Sequence, residues 1–354
     1  VQKILISSRY VDAHALAVAE ALKDKVNVYL RFTDGIVGHE LVTIDYSDED
    51  TRISFKNLIN KETFEVLGRD NLDVYWARRH DRSIIPNSVH EDDLEFVRKE
   101  STLFEQSLVS LLSNLAKRAI NNHSRAMEAE NKAFQLQIAK DVGLEIPQSI
   151  LSNEEKQIRD FVSSKKAIYK TFYPHSWING VTTKTIYATD VKLEDLPSPE
   201  ALSWVPGIYQ SKISKDFDVR LNIFGDKVIA VRLDTSNKDI LDWKSEKNTY
   251  TIEKINVPLD IKRKCFSLLD RLDLEMGIFD FVVKNDVWTF LELNQMGQFL
   301  WIEDQNPEIN LLQSFCEFLT GIDSSLFSSY GDLKPVIEKK LFAMKELQEK
   351  AIRK

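Results

Sequence analysis

The stretch GIFDFVVKNDVWTFLELN, residues 277–294, carries the side chains best spaced for chemistry. Glu292 and Asn294 are two apart, so on a strand they face one side while Leu291 and Leu293 face the other. Asn285 and Asp286 mark a turn. A three- or five-residue loop there would set Asp280 opposite Phe290, on the face of Glu292, whereas a two-residue loop would put Asp280 on the wrong face. In the favourable register Asp280, Glu292 and Asn294 form an oxygen-only set, which suits Mg²⁺ with bound phosphate better than zinc or copper. The same three side chains would equally suit the wet face of an antiparallel sheet.

Cations supply the complement. Lys132 lies in the helical run ENKAFQLQIAK, and Lys170 ends the strand-like AIYK just before the loop TFYPHSWINGV. A lysine ammonium is a compact charge that can neutralise a triphosphate, although a solvated surface position is the commoner fate of either residue. That loop has one glycine, Gly180, and is not a phosphate-binding glycine loop. In DVRLNIFGDKVIAVRLD, Asp218 and Arg220 share one face of a strand, and Arg232 lies on the next strand after a Gly-Asp turn. Arginine can hold a carboxylate or an acyl phosphate through two parallel hydrogen bonds, and cross-strand ion pairs would explain the same residues. Arg78 and Arg79, in VYWARR, fit either the substrate side of a cleft or structural salt bridges. The six histidines show no zinc spacing, and no GxSxG elbow occurs.

These groups need elements to carry them. With 354 residues, the chain is long enough for two or three domains of roughly 150 residues each, and 43% hydrophobic residues can fill sizeable cores. Lys+Arg 47 against Asp+Glu 55 leaves a net charge of −8, which argues against a surface given over to nucleic acid but leaves room for a local basic groove. No apolar run is long enough to span a bilayer or to serve as a signal peptide, so a soluble, cytoplasmic protein is expected. Cys265 and Cys316 lack metal or redox spacing and read as buried thiols.

The opening alternates strand (from Lys3), helix (Asp12 to Leu22) and strand (to Phe32), the pattern of a small α/β domain. A strand over 72–79 and a long helix over 89–119 follow, and the polar cluster at 121–124 suggests a boundary. Then come one helix over 125–143, a strand over 148–151, a helix capped by Ser152 or Asn153, and the strand AIYKTF. The stretch DLPSPEALSWVPG reads as a linker. Strand-like runs, a helix over 259–272 and a charged helix from about Val336 complete the chain.

In order along the sequence, NK (Asn131, Lys132), YK (Tyr169, Lys170), YQSKI, DVR, AVRLD, LDWKS, FDFVV and LELNQMGQFLWIE resemble the motifs of ATP-grasp enzymes. More narrowly, VYWARR, NKAFQLQIAKDVGLEIPQSILSN and ELNQMGQFLWIE look like the microviridin-type graspetide macrocyclases, over roughly Lys3 to Leu319. The resemblance implies an ATP-grasp fold, mixed α/β and α+β. Its expected parts are an N-terminal domain (1–121), a central domain (122–206), a C-terminal domain (207–330) and a terminal helix (331–354). It also implies that Lys132 and Lys170 contact phosphates, that Gln210, Ser211, Lys212 and Ile213 form the hinge beside adenine, and that Asp218 lies near the sugar. Asp280, Glu292 and Asn294 would hold Mg²⁺, with two ions expected, while Arg220 and Arg232 would hold the reacting carboxylate. Lys244 stands where related sequences usually carry arginine, and lacks its bidentate fork.

The implied reaction turns an Asp or Glu side chain of a precursor peptide into an acyl phosphate at the expense of ATP. A Ser or Thr hydroxyl, or a Lys amine, of the same peptide then closes an ester or amide ring. A leader segment of that precursor would dock near Asn153 to Tyr173, and because related enzymes are often dimers, a homodimer is expected. An intermolecular ligase adding amino acids to a peptide end is the alternative on the same scaffold. A non-catalytic ATP- or peptide-binding module is a third reading, against which an intact metal set argues.

Overall fold

The computed structural model describes residues 1–354 apart from 48, 81–82, 173–175, 180–181, 186–187, 235–249 and 353–354. Strand β1 (Lys3–Ser8), helix α1 (Ala13–Leu22) and β2 (Asn27–Phe32) form the expected opening. Asp12 caps α1, its carboxylate accepting the N–H groups of His14 and Ala15. Between Phe32 and Leu72, where no element is expected, runs an antiparallel meander of β3 (Glu40–Asp45), β4 (Arg52–Asn57) and β5 (Thr63–Leu67). Its buried face, Ile53, Phe55, Phe64 and Val66, covers Leu5 and Tyr75 of the neighbouring sheet. Strand β6 (Val74–Ala77) lies beside β1. Helix α2 (Leu94–Leu115) is shorter than expected, because residues 91–93 form a single tighter turn and Arg118–Ile120 leave the helix as strand β7. The order β2-β1-β6-β7 is wholly parallel.

The single helix expected over 125–143 is two, α3 (His123–Ala129) and α4 (Lys132–Asp141). Asn131 makes the break by capping α4, its side chain accepting the Phe134 N–H, as short polar side chains do in preference to lying inside a helix. Next come β8 (Ser149–Ser152), α5 (Glu155–Ser164), β9 (Ala167–Lys170), the hairpin β10 (Ser176–Asn179) and β11 (Thr182–Thr185), and β12 (Thr189–Val191). Cap and helix are offset from expectation, since α5 opens at Glu155 and the Ser152 hydroxyl accepts only from the Glu154 N–H.

The stretch read as a linker holds α6 (Pro199–Trp204), capped by Ser198 and buried through Leu202 beside Ile158 and Phe161. Strand β13 (Gly207–Ser211) then returns to the middle of the antiparallel sheet β12-β9-β13-β8. An end to the central unit at residue 206 is therefore corrected. The prolines punctuate a connection inside the unit, and its last strand is β13.

Strands β14 (Phe217–Phe224), β15 (Lys227–Asp234) and β16 (Thr251–Ile255), helix α7 (Leu259–Leu272), and strands β17 (Met276–Lys284) and β18 (Val287–Asn294) build the largest sheet, in the antiparallel order β16-β15-β14-β17-β18. Helices α8 (Leu300–Gln305), α9 (Leu311–Thr320) and α10 (Tyr330–Ile352) close the chain. Helix α10 begins before the expected Val336 and carries Pro335 in its second turn, where a missing N–H costs one bond rather than the helix.

Besides the core beneath the meander, three cores organise these layers. One face of the large sheet, with Val219, Leu221, Phe279, Phe281 and Leu293, packs on α7 and on Ile138 and Ala139 of α4. Part of the opposite face, with Phe224, Val231, Leu233 and Ile278, joins Phe299 and Phe315 to Ile4, Val18 and Trp76 of the N-terminal unit and to Ile337 of α10. The central sheet keeps a small core of its own around Phe161, Leu202 and Tyr209. Both cysteines are buried, and burial pushes their thiols up. Among the described residues no helix is long and apolar enough to cross a membrane.

Candidate active site

Strand register decides what faces what. Asn285 and Asp286 both have positive φ, 47° and 62°, and form a two-residue hairpin turn. Such a turn alone would have put Asp280 on the wrong face. A bulge corrects it: Phe281 pairs with Phe290, the register then slips, and Asp280 pairs directly with Glu292. Leu291, the extra residue, is turned to line the same pocket as Glu292, not the opposite face expected for it.

Across three strands the ladder now reads Arg220, Asp280, Glu292, with Asn294 further along the same face opposite Ile278. Arg220 and Asp280 are buried, and Arg220 Nη1 lies 2.5 Å from Asp280 Oδ1. Asp218, on the same face, pairs with Lys215 at 2.6 Å. Asn294 Nδ2 is 3.4 Å from Glu292 Oε1. Among the described residues there is no cluster of three or more His, Cys, Asp and Glu side chains, so the set is two carboxylates and an amide. All its donors are hard oxygens, which fits Mg²⁺, an ion that binds through one or two carboxylates and completes its shell with water and phosphate.

The pocket against Glu292 is lined by Lys132, Gln135 and Leu136 of α4, Lys170 of β9, Ile208 and Gln210 of β13, and Leu291. Lys132, Lys170, Gln210 and Glu292 are thus brought together. Lys132 Nζ donates to the Thr171 carbonyl at 2.9 Å. The buried Gln210 amide donates to Ser149 Oγ at 2.9 Å. Ser211 donates its backbone N–H to Gln148, Lys212 binds Asp190 at 2.8 Å, and Ile213 is half-buried.

Arg232 is not brought to the site. It pairs with Val219 in the ladder, which puts it on the opposite face from Arg220, where it binds Asp234 at 2.6 Å and covers the Phe217 ring. Its expected role beside Arg220 is corrected accordingly. Lys244 and Gly180 lie outside the described residues.

Residues that sequence reasoning missed, together with Arg78 and Arg220, hold the strip that follows β18. Gln135 binds both backbone groups of Leu293, and Asn121 donates to the Gln295 carbonyl at 3.1 Å. Arg78, fully buried, takes Asp12 at 2.8 Å and donates to the carbonyls of Met296 and Gly297. Of the two readings offered for it, the salt bridge to Asp12 is the one these contacts display. Arg220 Nη2 donates to the Gln298 carbonyl, and His14 Nε2 accepts the N–H groups of Phe299 and Leu300 at 2.9 and 3.0 Å. The imidazole must be neutral to accept. Burial, with Arg78 nearby, holds its pKa well below the usual histidine value against the opposing pull of Asp12. Of these roles the sequence offered only the salt bridge of Arg78, as one of two alternatives.

No protein-family model and no curated protein matches the sequence. The cleft between a central antiparallel sheet and a larger sheet bearing the carboxylates is that of the ATP-grasp fold, and solved structures establish this. An ATP-grasp ligase associated with ribosomally made peptides from Chryseobacterium gregarium, solved with ADP and a leader and core peptide, matches with a TM-score of 0.81 at 19% identity, over 91% of this chain and 97% of its own. The macrocyclase MdnC of Microcystis aeruginosa, bound to its precursor peptide MdnA, matches at 0.77 with 22% identity, over 90% and 99%. The ATP-grasp ligase PsnB with minimal precursor, Mg and ADP matches at 0.64 with 20% identity, over 90% and 96%.

Two outcomes follow from the strip. A Cβ on Gly297 would meet Ile278 Cδ1 at 2.2 Å and Cβ at 2.9 Å, so Gly297→Ala is expected to cost about 1–3 kcal/mol in urea unfolding. An unchanged midpoint would show that the strip yields freely. His14 and His80, the latter pushed down to about 3 by burial and by His123, stay neutral when folded but protonate near pH 6.5 when unfolded. Stability is therefore complete above that pH and falls as pH drops through it, by about 1 kcal/mol per histidine between pH 6.5 and 5.5. Urea titrations at the two values check this, and equal stability would contradict the neutral assignments.

Proposed function

We propose that the chain is an ATP-dependent macrocyclase that closes side-chain ester or amide rings in a ribosomally made precursor peptide. The observation that carries this reading is the row Arg220, Asp280, Glu292, whose last member shares a pocket with Lys132 and Lys170. A cation placed to hold an oxyanion thus lies beside carboxylates suited to a metal, and two ammonium groups stand ready for phosphates. The likeness to ligases solved with precursor peptides and ADP supports the same class of substrate.

In this reading Lys132 and Lys170 neutralise the phosphates, Gln210 to Ile213 run beside adenine, and Asp218 faces the sugar. Asp280, Glu292 and Asn294 hold Mg²⁺, two ions in the full complex, which would offset the charge spread over the transferring phosphoryl group. Arg220, paired with Asp280 in the free protein, would take the peptide carboxylate, leaving Asp280 as one of the residues that would hold Mg²⁺. A carboxylate oxygen attacks the γ-phosphorus, the bond to ADP breaks, and an acyl phosphate forms. Arg220 holds it while a hydroxyl or amine of the same peptide attacks the acyl carbon, losing its proton as phosphate departs. Tethering within one peptide supplies a high effective concentration, so no covalent enzyme nucleophile is needed. The leader segment docks on the central sheet near residues 153–173, and the working assembly is a homodimer in the cytoplasm.

The test is intact mass of a short precursor rich in Thr, Ser, Asp and Glu after incubation with the protein, ATP and Mg²⁺. Loss of one water per bond is expected. A mass gain equal to amino-acid residues would replace the reading with an intermolecular ligase, and ATP binding without turnover of any precursor would leave a binding module. Glu292→Gln is expected to lower ADP release roughly a hundredfold with the fold intact, and unchanged turnover would remove Glu292 from the metal site. Arg220→Ala is expected to lower kcat by a similar factor, roughly a hundredfold, while nucleotide affinity stays within about threefold. An equal loss of nucleotide affinity would move Arg220 to the triphosphate.

A further inference from the structure

Strand β18 is the last strand of its sheet, and on its outer side the described residues give it a single parallel bridge, Glu145 with Thr289, rather than a further strand. Two hydrogen-bonded anchors lie on that side among the described residues. The Phe290 N–H donates to the Glu145 carbonyl at 2.8 Å. At Leu293, Gln135 substitutes for a missing strand: its Oε1 accepts the Leu293 N–H at 2.9 Å, and its Nε2 donates to the Leu293 carbonyl at 2.9 Å and to the Ala129 carbonyl at 2.5 Å. The bulge at Leu291 and the carboxylate of Glu292 lie between these two anchors, and Asn294 lies immediately after the second. A bulge locally disrupts the ladder, and a one-residue slip here would turn Glu292 away from Asp280. Gln135 is buried and stands one helical turn from Lys132, so both lie on one face of α4 and both line the pocket.

We propose that Gln135 is a positioning residue that ties the phosphate-side helix α4 to the metal-side strand β18 and fixes the register in which Glu292 and Asn294 present their oxygens. The proposal rests on the ATP-and-metal reading of the pocket. It assigns Gln135 no contact with the nucleotide. Its effect is to make the Lys132 ammonium and the Glu292 carboxylate members of one rigid frame.

The experiment uses the full chain and the non-hydrolysable probe AMPPNP, titrated calorimetrically with and without Mg²⁺, for wild type, Gln135→Met, Glu292→Gln and the double variant. Methionine keeps length and volume and removes both bonds to Leu293. Gln135→Met is expected to leave metal-free AMPPNP affinity within about twofold and to raise the Mg²⁺ concentration needed for half-maximal enhancement roughly tenfold, the scale of lost support behind a metal ligand. The double variant should match Glu292→Gln alone, because Gln135 acts through that strand. A lowered melting temperature with unchanged Mg²⁺ dependence would overturn the proposal and leave Gln135 as packing, as would additive losses in the double variant. If Gln135→Met does not fold, Gln135→Glu, which keeps the acceptor and loses the donor, is titrated in its place, and a wild-type Mg²⁺ dependence overturns the proposal. Absence of any Mg²⁺ enhancement in the wild type would instead refute the reading of the pocket itself.

Discussion

A strip of backbone that belongs to no helix or strand, residues 295–299, leaves the carboxylate-bearing strand β18 and buries Gln295, Gly297 and Phe299. Buried peptide groups must find partners, and here regular structure supplies almost none. The partners are side chains sent from distant parts of the chain: Asn121, Arg78, Arg220 and His14. Because Arg220 also holds Asp280, the strip and the carboxylate face share one guanidinium. The N-terminal unit thus shapes the site without contributing to its oxygen set.

The electrostatics of that support are matched. Arg78 is fully buried and would be costly alone, since an uncompensated buried charge is among the worst defects a core can hold. Asp12 compensates it, and Arg78, first among the opposing charges, keeps the Asp12 carboxyl well below its usual range although burial pushes the other way. Burial, aided by the same positive field, keeps His14 neutral and therefore able to accept from two backbone N–H groups. One cap, one ion pair and one imidazole form a single electrostatic unit.

Much of the fold was legible because its strands and helices announce themselves by period, and because ordered motifs along the chain resemble a known scaffold. The oxygen set was legible from the spacing of Glu292 and Asn294, but its geometry was not. Two errors about Asp280 and Leu291 share one cause, since a bulge leaves no trace in alternation and reverses the conclusion drawn from turn length. Arg232 came to the carboxylate only through the resemblance, and the register through the Gly225 turn sets it opposite Val219, on the other face from Arg220. The meander between Phe32 and Leu72 and the helix within the proline-rich stretch were missed because short elements there rely on tertiary burial. Gln135, His14 and Asn121 act through backbone groups far away in sequence, a relation that local pattern cannot carry.

The division of the hydrophobic cores has a mechanical meaning. Helix α4 shares its core with the large sheet, and that sheet shares another with the N-terminal unit and α10, whereas the central sheet packs chiefly on itself. The molecule is therefore a broad base and a light flap. Lys132 rides on the base and Lys170 on the flap, and Lys132 Nζ reaches across to the Thr171 carbonyl. Were the flap to lift, the two ammonium groups would move apart, so in the proposed reading an anion held by both would resist opening through charge rather than through buried surface.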